Sequence, residues 1–153
     1  LAKVFNLTHS PLASTLLIDQ GQTAGLTPGL PVVAGGNVLA GVVAEVFQQS
    51  ARVRLLDDPR SLVSVQLGSQ GVIGSLHGDS GQSQLAKVEL ITNQENINIG
   101  DLVTTSGLDN LPPGLLVGKV SQVALQGGNL FQVVQAALQF NPYQTATLIV
   151  IFQ

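Results

Sequence analysis

The sequence contains no cysteine, no methionine and no tryptophan, and only 10% of its residues are charged. Without cysteine the chain can form no disulfide, no thiolate nucleophile and no cysteine-ligated metal site, and it fits either a reducing or an oxidising compartment. The six lysines and arginines are scattered and form no basic stripe for phosphate groups, so we expect no nucleic-acid partner. Because even position 1 is not methionine, we expect the chain to be a piece of a longer protein.

Amide side chains take the place of charge, since glutamine and asparagine together number 24 against 15 charged residues. Soluble domains usually carry about 25% charged residues. An amide-rich surface is wetted by water but repels other copies of itself weakly, which favours self-association or a large partner interface. Residues 120–153 contain no charge, but glutamines interrupt them, so no run reaches the ~20 apolar residues of a membrane span.

Short runs rich in valine, isoleucine, leucine and threonine recur about every 8–12 residues, separated by glycine, proline, asparagine or aspartate. Twelve such runs predict an all-β fold of two six-stranded β-barrels. The polar, glycine-rich segment 74–84 is the expected junction, between an N-terminal barrel at 1–76 and a C-terminal barrel at 77–153. The predicted strands are Ala2–Phe5, Thr15–Asp19, Pro31–Ala34, Leu39–Phe47, Ala51–Leu56, Leu62–Leu67, Gly71–Leu76, Leu85–Ile91, Leu102–Thr105, Leu116–Val123, Phe131–Leu138 and Thr147–Phe152.

The eighth of these runs shows the alternation of a half-buried strand. Lys87 and Glu89 fall on one face, and Ala86, Val88 and Leu90 fall on the other. We therefore expect Leu90 to point into the barrel.

Two pairs of sequence blocks resemble each other faintly. GLPVV from Gly29 and GVVAEV from Gly41 correspond to GDLV from Gly100 and GKVSQV from Gly118, with six more residues between the blocks in the second copy. The repeat suggests a duplication. Glycine-bounded valine strands also recur by chance in β proteins, so the repeat alone does not establish one.

The segment Gly78-Asp79-Ser80-Gly81 matches the residues around the nucleophile of chymotrypsin-like serine proteases. His9, with Asp57 or Asp58, would complete a triad in the chain order of those enzymes. The context argues against it, because position 82 is glutamine where the protease motif continues with Gly-Pro, and Ser80 comes at the start of the second barrel. We expect no catalytic residues, and a serine hydrolase is the enzymatic alternative.

The remaining polar motifs favour structural roles. Two histidines far apart in sequence, His9 and His77, make a poor ligand set, so we predict no metal and no cofactor. Asp57-Asp58-Pro59 is typical of a turn. No glycine pattern of a phosphate-binding loop follows a strand.

Residues 98–123 carry the most specific pattern in the chain: Gly-Asp, an apolar pair, Thr-Ser-Gly, Pro-x-Gly and Val-Gly-x-Val. This order resembles the second half of the extracytoplasmic domain of the MreC family of rod-shape-determining proteins. Blocks beginning at Leu16, Gly29 and Ser50 extend the resemblance over nearly the whole chain. The family-motif residues, to which we assign structural roles, are Gly29, Gly41, Gly100, Asp101, Thr105, Ser106, Gly107, Pro113, Gly114 and Gly118.

The resemblance implies two β-barrels arranged as in chymotrypsin-like proteases, but without a catalytic site. It implies a non-catalytic scaffold of cell-wall elongation, which binds the class B penicillin-binding transpeptidase and is linked with MreD, MreB and RodA. The domain would lie on the periplasmic or extracellular face of the inner membrane, tethered by an N-terminal anchor that this sequence lacks. It also favours a strand over residues 129–140, although glutamines recur there at helical spacing.

The uncharged C-terminal part of the chain contains Leu130, Phe131 and Tyr143, which we predict to lie at an interface for self-association or for a partner. A further alternative is a β-barrel module that binds sugars or peptides. Such modules use aromatic platforms, and this sequence has only five phenylalanines and one tyrosine.

Overall fold

Twelve β-strands and one short 3-10 helix make up the described chain, so the all-β prediction is confirmed. The computed structural model describes residues 1–10, 12–78, 84–92, 94–125 and 130–152. Among these residues no helix has the length and apolar character needed to cross a membrane. The strands are β1 (Ala2–Ser10), β2 (Ala13–Ile18), β3 (Pro31–Ala34), β4 (Val38–Val46), β5 (Ala51–Leu55), β6 (Leu62–Leu67), β7 (Val72–Gly78), β8 (Leu85–Thr92), β9 (Leu102–Thr105), β10 (Leu116–Leu125), β11 (Phe131–Leu138) and β12 (Thr147–Val150), and the 3-10 helix is Gln22–Ala24.

The strand prediction for residues 129–140 is confirmed over β11, and the structure explains the misleading glutamine spacing. Gln132 is buried rather than solvent-facing. Its Nε2 donates hydrogen bonds to the carbonyl oxygens of Thr92, at 2.9 Å, and Glu95, at 2.8 Å. Because hydrogen bonds satisfy its side-chain amide, Gln132 can be buried in a strand. Its polar character therefore does not mark the exposed face of an amphipathic helix.

Backbone pairing closes the strands into two six-stranded barrels. The first barrel runs in the order β1, β2, β5, β4, β3 and β12, and β12 pairs back onto β1. The second runs in the order β6, β7, β8, β11, β10 and β9, and β9 pairs back onto β6. A parallel bridge between Leu116 and Val38 joins the two.

The predicted division at residue 76 differs from this pairing. β6 and most of β7 lie before that position but belong to the second barrel, while β12 returns to the first barrel. Segment 74–84, expected to be the junction, includes the end of β7, whose Gly78 pairs with Ala86 of β8. Residues 79–83 lie outside the described residues. The alternation within a strand identifies its buried face but not its partner, so a strand that crosses to the other barrel leaves no local signal.

The hydrogen bonds of the two copies match at the suspected repeat. The amide of Gly29 donates to the carbonyl of Val43 at 2.8 Å, and the amide of Gly100 donates to the carbonyl of Val120 at 2.8 Å. In both copies the valine amide donates back, one residue further on, at 2.9 Å. The two glycines have φ angles of 97° and 95°. This correspondence supports duplication of a five-stranded unit, with β1–β5 equivalent to β7–β11.

Close strand contact repeats in the same way. At Gly41 an added Cβ would lie 2.9 Å from the carbonyl carbon of Arg54, and at Gly118 it would lie 2.9 Å from that of Ala137. In each case it would also overlap the carbonyl oxygen of the same residue. Both positions therefore need glycine because a neighbouring strand passes where a side chain would begin.

Candidate functional site

The structure brings two members of the hypothetical catalytic triad together. Nδ1 of His9 lies 4.0 Å from Oδ2 of Asp57. Asp58 is fully buried and belongs to another contact, in which its carboxylate accepts hydrogen bonds from the Ser14 amide at 2.8 Å and from Nη2 of Arg60 at 2.9 Å. Ser80 lies outside the described residues.

The chemistry around His9 resembles that of a structural contact. Within the described part of the chain, the hydroxyl bonded to His9 is Ser14 Oγ, 3.4 Å from the same Nδ1 that faces Asp57. Ser14 is 1% exposed, so a substrate has no path to it. A triad instead presents its nucleophile on the second ring nitrogen, away from the carboxylate.

The charge on Asp58 is held by its hydrogen bonds. Burial raises the pKa of this carboxyl, but the Arg60 side chain and the amides of Ser14 and Arg60 lower it by more, so the pKa lies below its ordinary value of 3.8. The ionised carboxylate thereby fastens the turn after β5 to the start of β2.

Possible metal ligands are dispersed. The described residues contain no group of three or more histidine, cysteine, aspartate or glutamate side chains placed to hold an ion. His77 contacts Glu89 instead, with 2.9 Å between Nε2 and Oε1, across β7 and β8.

The family-motif residues after β9 form one turn structure. Thr105 Oγ1 donates to the carbonyl of Pro112 at 2.6 Å and accepts the amide of Leu115 at 2.9 Å. Gly107 has a φ of 83°, and an added Cβ would lie 2.9 Å from Cβ of Pro113. These contacts hold residues 105–115 in a tight loop above the second barrel.

The predicted interface residues Leu130, Phe131 and Tyr143 are all exposed. Leu130 is 75% exposed, Phe131 44% and Tyr143 65%. Phe131 opens β11 and Tyr143 follows its end, and the eight residues of that strand span about 24 Å. Their role at an interface stays a prediction.

A bulge in β8 overturns the expectation that Leu90 is buried. Ile91 pairs with Gln132 and Val88 with Val134, so β8 has one more residue than β11 between these pairs. Leu90 has a φ of 66° and is 66% exposed. The extra residue shifts the alternation by one position, which turns Leu90 outward and Ile91 inward.

The bulge also separates β8 from β7. Their pairing runs from Gly78 to Ser75 and stops at Glu89. Beyond that point β7 still pairs with β6, and β8 still pairs with β11. The two strands diverge and leave a groove of about 410 Å³, which is lined by Gln70, Gly71, Val72, Ile73, Leu90, Ile91, Thr92 and Glu95.

A second groove of about 220 Å³ lies on the other side of Leu90. It is lined by Glu89, Leu90, Phe131, Gln132 and Val133. Ile73, Leu90 and Phe131 thus form one exposed surface, which we call the apolar seam. The signal for it in the sequence is the adjacent pair Leu90-Ile91, which breaks the alternation of the strand.

A family model described as "Rod shape-determining protein MreC, barrel core" matches residues 4–152. The chain belongs to the MreC family. The cell shape-determining protein MreC of Escherichia coli K12 is 28% identical over 137 residues, which are 89% of this chain and 37% of that protein. The chain therefore spans less than half the length of the curated relatives that it matches.

Solved MreC structures share the two-barrel fold. MreC from Pseudomonas aeruginosa is 28% identical and has a TM-score of 0.91, covering 99% of this chain and 97% of that chain. A complex between penicillin-binding protein PBP2 and MreC from Helicobacter pylori contains a chain with a TM-score of 0.65 and 21% identity, covering 89% of this chain and 85% of that one. At that identity the likeness shows the fold alone. The resemblance stated from the sequence is confirmed.

Proposed function

We propose that this chain is a non-catalytic scaffold of bacterial cell-wall elongation, which binds a class B penicillin-binding transpeptidase through the apolar seam. Membership in a family of shape-determining proteins supports the first half of the proposal. The complex of the Helicobacter pylori relative with PBP2 supports the kind of partner. The choice of the apolar seam as the binding surface rests on one observation, the outward orientation of the Leu90 side chain at the β8 bulge.

The apolar seam has the properties of a docking surface. Ile73, Leu90 and Phe131 are each at least 44% exposed, and they line two adjoining grooves. Contiguous exposed apolar groups usually mark interaction sites, and strand edges without a neighbour can pair with an added strand. Burial of these side chains would supply the driving force for binding at about 25 cal/mol per Å² of apolar surface.

The shape of the seam fits an extended segment of the partner. In an extended chain every second side chain points to the same side, so two apolar side chains could enter the grooves on either side of Leu90. Glu95 lines the first groove, and Glu89, which contacts His77, lines the second. A partner segment with alternating apolar residues and a basic flank would match this surface.

Family membership extends the proposal to the assembly. We propose that the domain lies on the periplasmic or extracellular face of the inner membrane, tethered by a preceding segment, and that it self-associates and is linked with MreD, MreB and RodA. In this arrangement the domain acts by positioning or activating the transpeptidase rather than by chemistry.

Leu90→Asn tests the surface with little risk to the fold. Asparagine accepts a positive φ more readily than leucine, so the variant removes the apolar side chain without adding backbone strain. We expect affinity for the purified transpeptidase ectodomain to fall about tenfold, as for other interface anchors, with the melting temperature maintained. Leu108→Asn is the matched control, because Leu108 is 73% exposed on the loop after β9 and lines neither groove.

Calorimetry or biolayer interferometry measures both variants. Equal affinity of Leu90→Asn and wild type would exclude the seam as the docking surface. An equal loss in Leu108→Asn would contradict the assigned location.

A further inference from the structure

The turn between β5 and β6 connects the two barrels along the chain, and residues of both barrels contact it. From the first barrel, the amide of Ser14 donates to Asp58 at 2.8 Å. From the second barrel, the amide of Gln84 donates to Oδ2 of Asp57 at 2.9 Å. Gly78, at the end of β7, packs so closely that an added Cβ would overlap the backbone carbonyls of Asp57 and Asp58. A structural change at this turn therefore alters contacts with both barrels.

Asp57 is incompletely satisfied in this position. It is 6% exposed, and its Oδ1 has no hydrogen-bond partner among the described residues. A buried carboxylate without its full set of partners is costly. His9 lies beside the other carboxylate oxygen: its Nδ1 is 4.0 Å from Oδ2, and its side chain is 25% exposed. Solvent protons can reach this imidazole.

We propose that protonation of His9 strengthens the contact between the two barrels through Asp57. We call the pair His9 and Asp57 the latch. When His9 is neutral, its Nδ1 shares only a weak contact with Ser14 Oγ, at 3.4 Å. When His9 is protonated, a cation stands beside the buried carboxylate and attracts it. The β1–β2 hairpin is then held more firmly to the turn and, through the Gln84 amide, to the second barrel.

The other charged groups around the latch do not replace His9. On the same turn, Arg60 is paired with Asp58 at 2.9 Å. From β5, Arg54 presents a buried Nε without a partner in the described structure. From the second barrel the described contacts are the uncharged Gly78 and Gln84, and Asp79 lies outside the described residues. Among the described groups beside Asp57, His9 is the histidine, the residue type whose charge ordinarily changes near neutral pH.

A double-mutant cycle at two pH values tests the latch. Urea unfolding of wild type, His9→Gln, Asp57→Asn and the double variant is measured at about pH 5.5 and about pH 8, where histidine is mostly charged and mostly neutral. We expect His9→Gln to raise the unfolding constant about fivefold more at the lower pH, and this extra effect to disappear in the Asp57→Asn background. His77→Gln is the control: it removes the other histidine of the sequence and its contact with Glu89, and it should leave the His9–Asp57 coupling unchanged at both pH values.

Hydrogen exchange gives a second readout that needs only wild type and His9→Gln. After correction for intrinsic exchange, protection of the Gln84 amide should be greater at the lower pH in wild type and independent of pH in the variant. The latch is overturned if the His9–Asp57 coupling is the same at both pH values. It is equally overturned if the pH dependence of Gln84 protection survives in His9→Gln.

Discussion

Replacing Gly118 with alanine should lower the free energy of unfolding by about 3 kcal/mol, because the new methyl group meets a neighbouring strand. The added Cβ would lie 2.9 Å from the carbonyl carbon of Ala137 and would overlap its oxygen. Backbone atoms cannot move aside as a flexible side chain would. β10 and β11 must separate locally, which weakens their hydrogen bonds and the packing beneath them. Gly41→Ala should cost a similar amount, since its contact with Arg54 is the same.

Alanine substitutions at two other glycines distinguish this steric effect from the effect of backbone strain. Gly114 has a φ of 85° and open space around it, so alanine there should cost only about 1 kcal/mol from the left-handed conformation. Gly35 has open space and no positive φ, so alanine should be neutral or stabilising by about 0.5 kcal/mol. Urea unfolding of the four variants gives the ranking. A Gly118→Ala protein as stable as Gly35→Ala would refute the close-contact argument.

Two further substitutions test buried polar groups. Because hydrogen bonds lower the pKa of Asp58 in the folded protein, its stabilisation is present above the ordinary pKa of 3.8 and is lost as the pH falls through the lower folded-state value. Asp58→Asn should therefore be less stable at neutral pH and should lose less stability on acidification below about pH 4, as urea titrations at several pH values would reveal. Gln132→Leu should cost about 2 kcal/mol in thermal or urea unfolding, because it removes the amide donor from the Glu95 carbonyl and leaves the Thr92 carbonyl with the Glu95 amide as its donor. The exposed Gln122→Leu is its control, and equal stability of the two variants would contradict the role of Gln132.

The sequence contains enough information to place all twelve strands, because alternation and turn residues are local properties. β3, β6, β9 and β11 have the predicted bounds. Partner choice is not local, which is why the pairing of β6, β7 and β12 differs from a division at residue 76.

The candidate site was less accessible from sequence than the fold. Phe131 was identified as a surface residue, but its neighbours Ile73 and Leu90 were missed. A bulge shifts every later side chain to the opposite face, and the sequence marks it only by two adjacent apolar residues. Tyr143 is exposed as well, and its place at an interface stays a prediction.

The crossing of β12 into the first barrel has a consequence for the order of folding. Lys3 pairs with Thr147, and Ala2 pairs with Leu148, so contacts that close the first barrel span nearly the whole chain. During synthesis or export, β1–β5 emerge well before the strand that completes them, and they must wait as an open sheet with unpaired edges on β1 and β3. Long-range closure of this kind slows folding, and exposed edges are prone to aggregation in the interval. The second barrel, whose strands β6–β11 are contiguous in sequence, can close first and give the waiting sheet a surface to fold against.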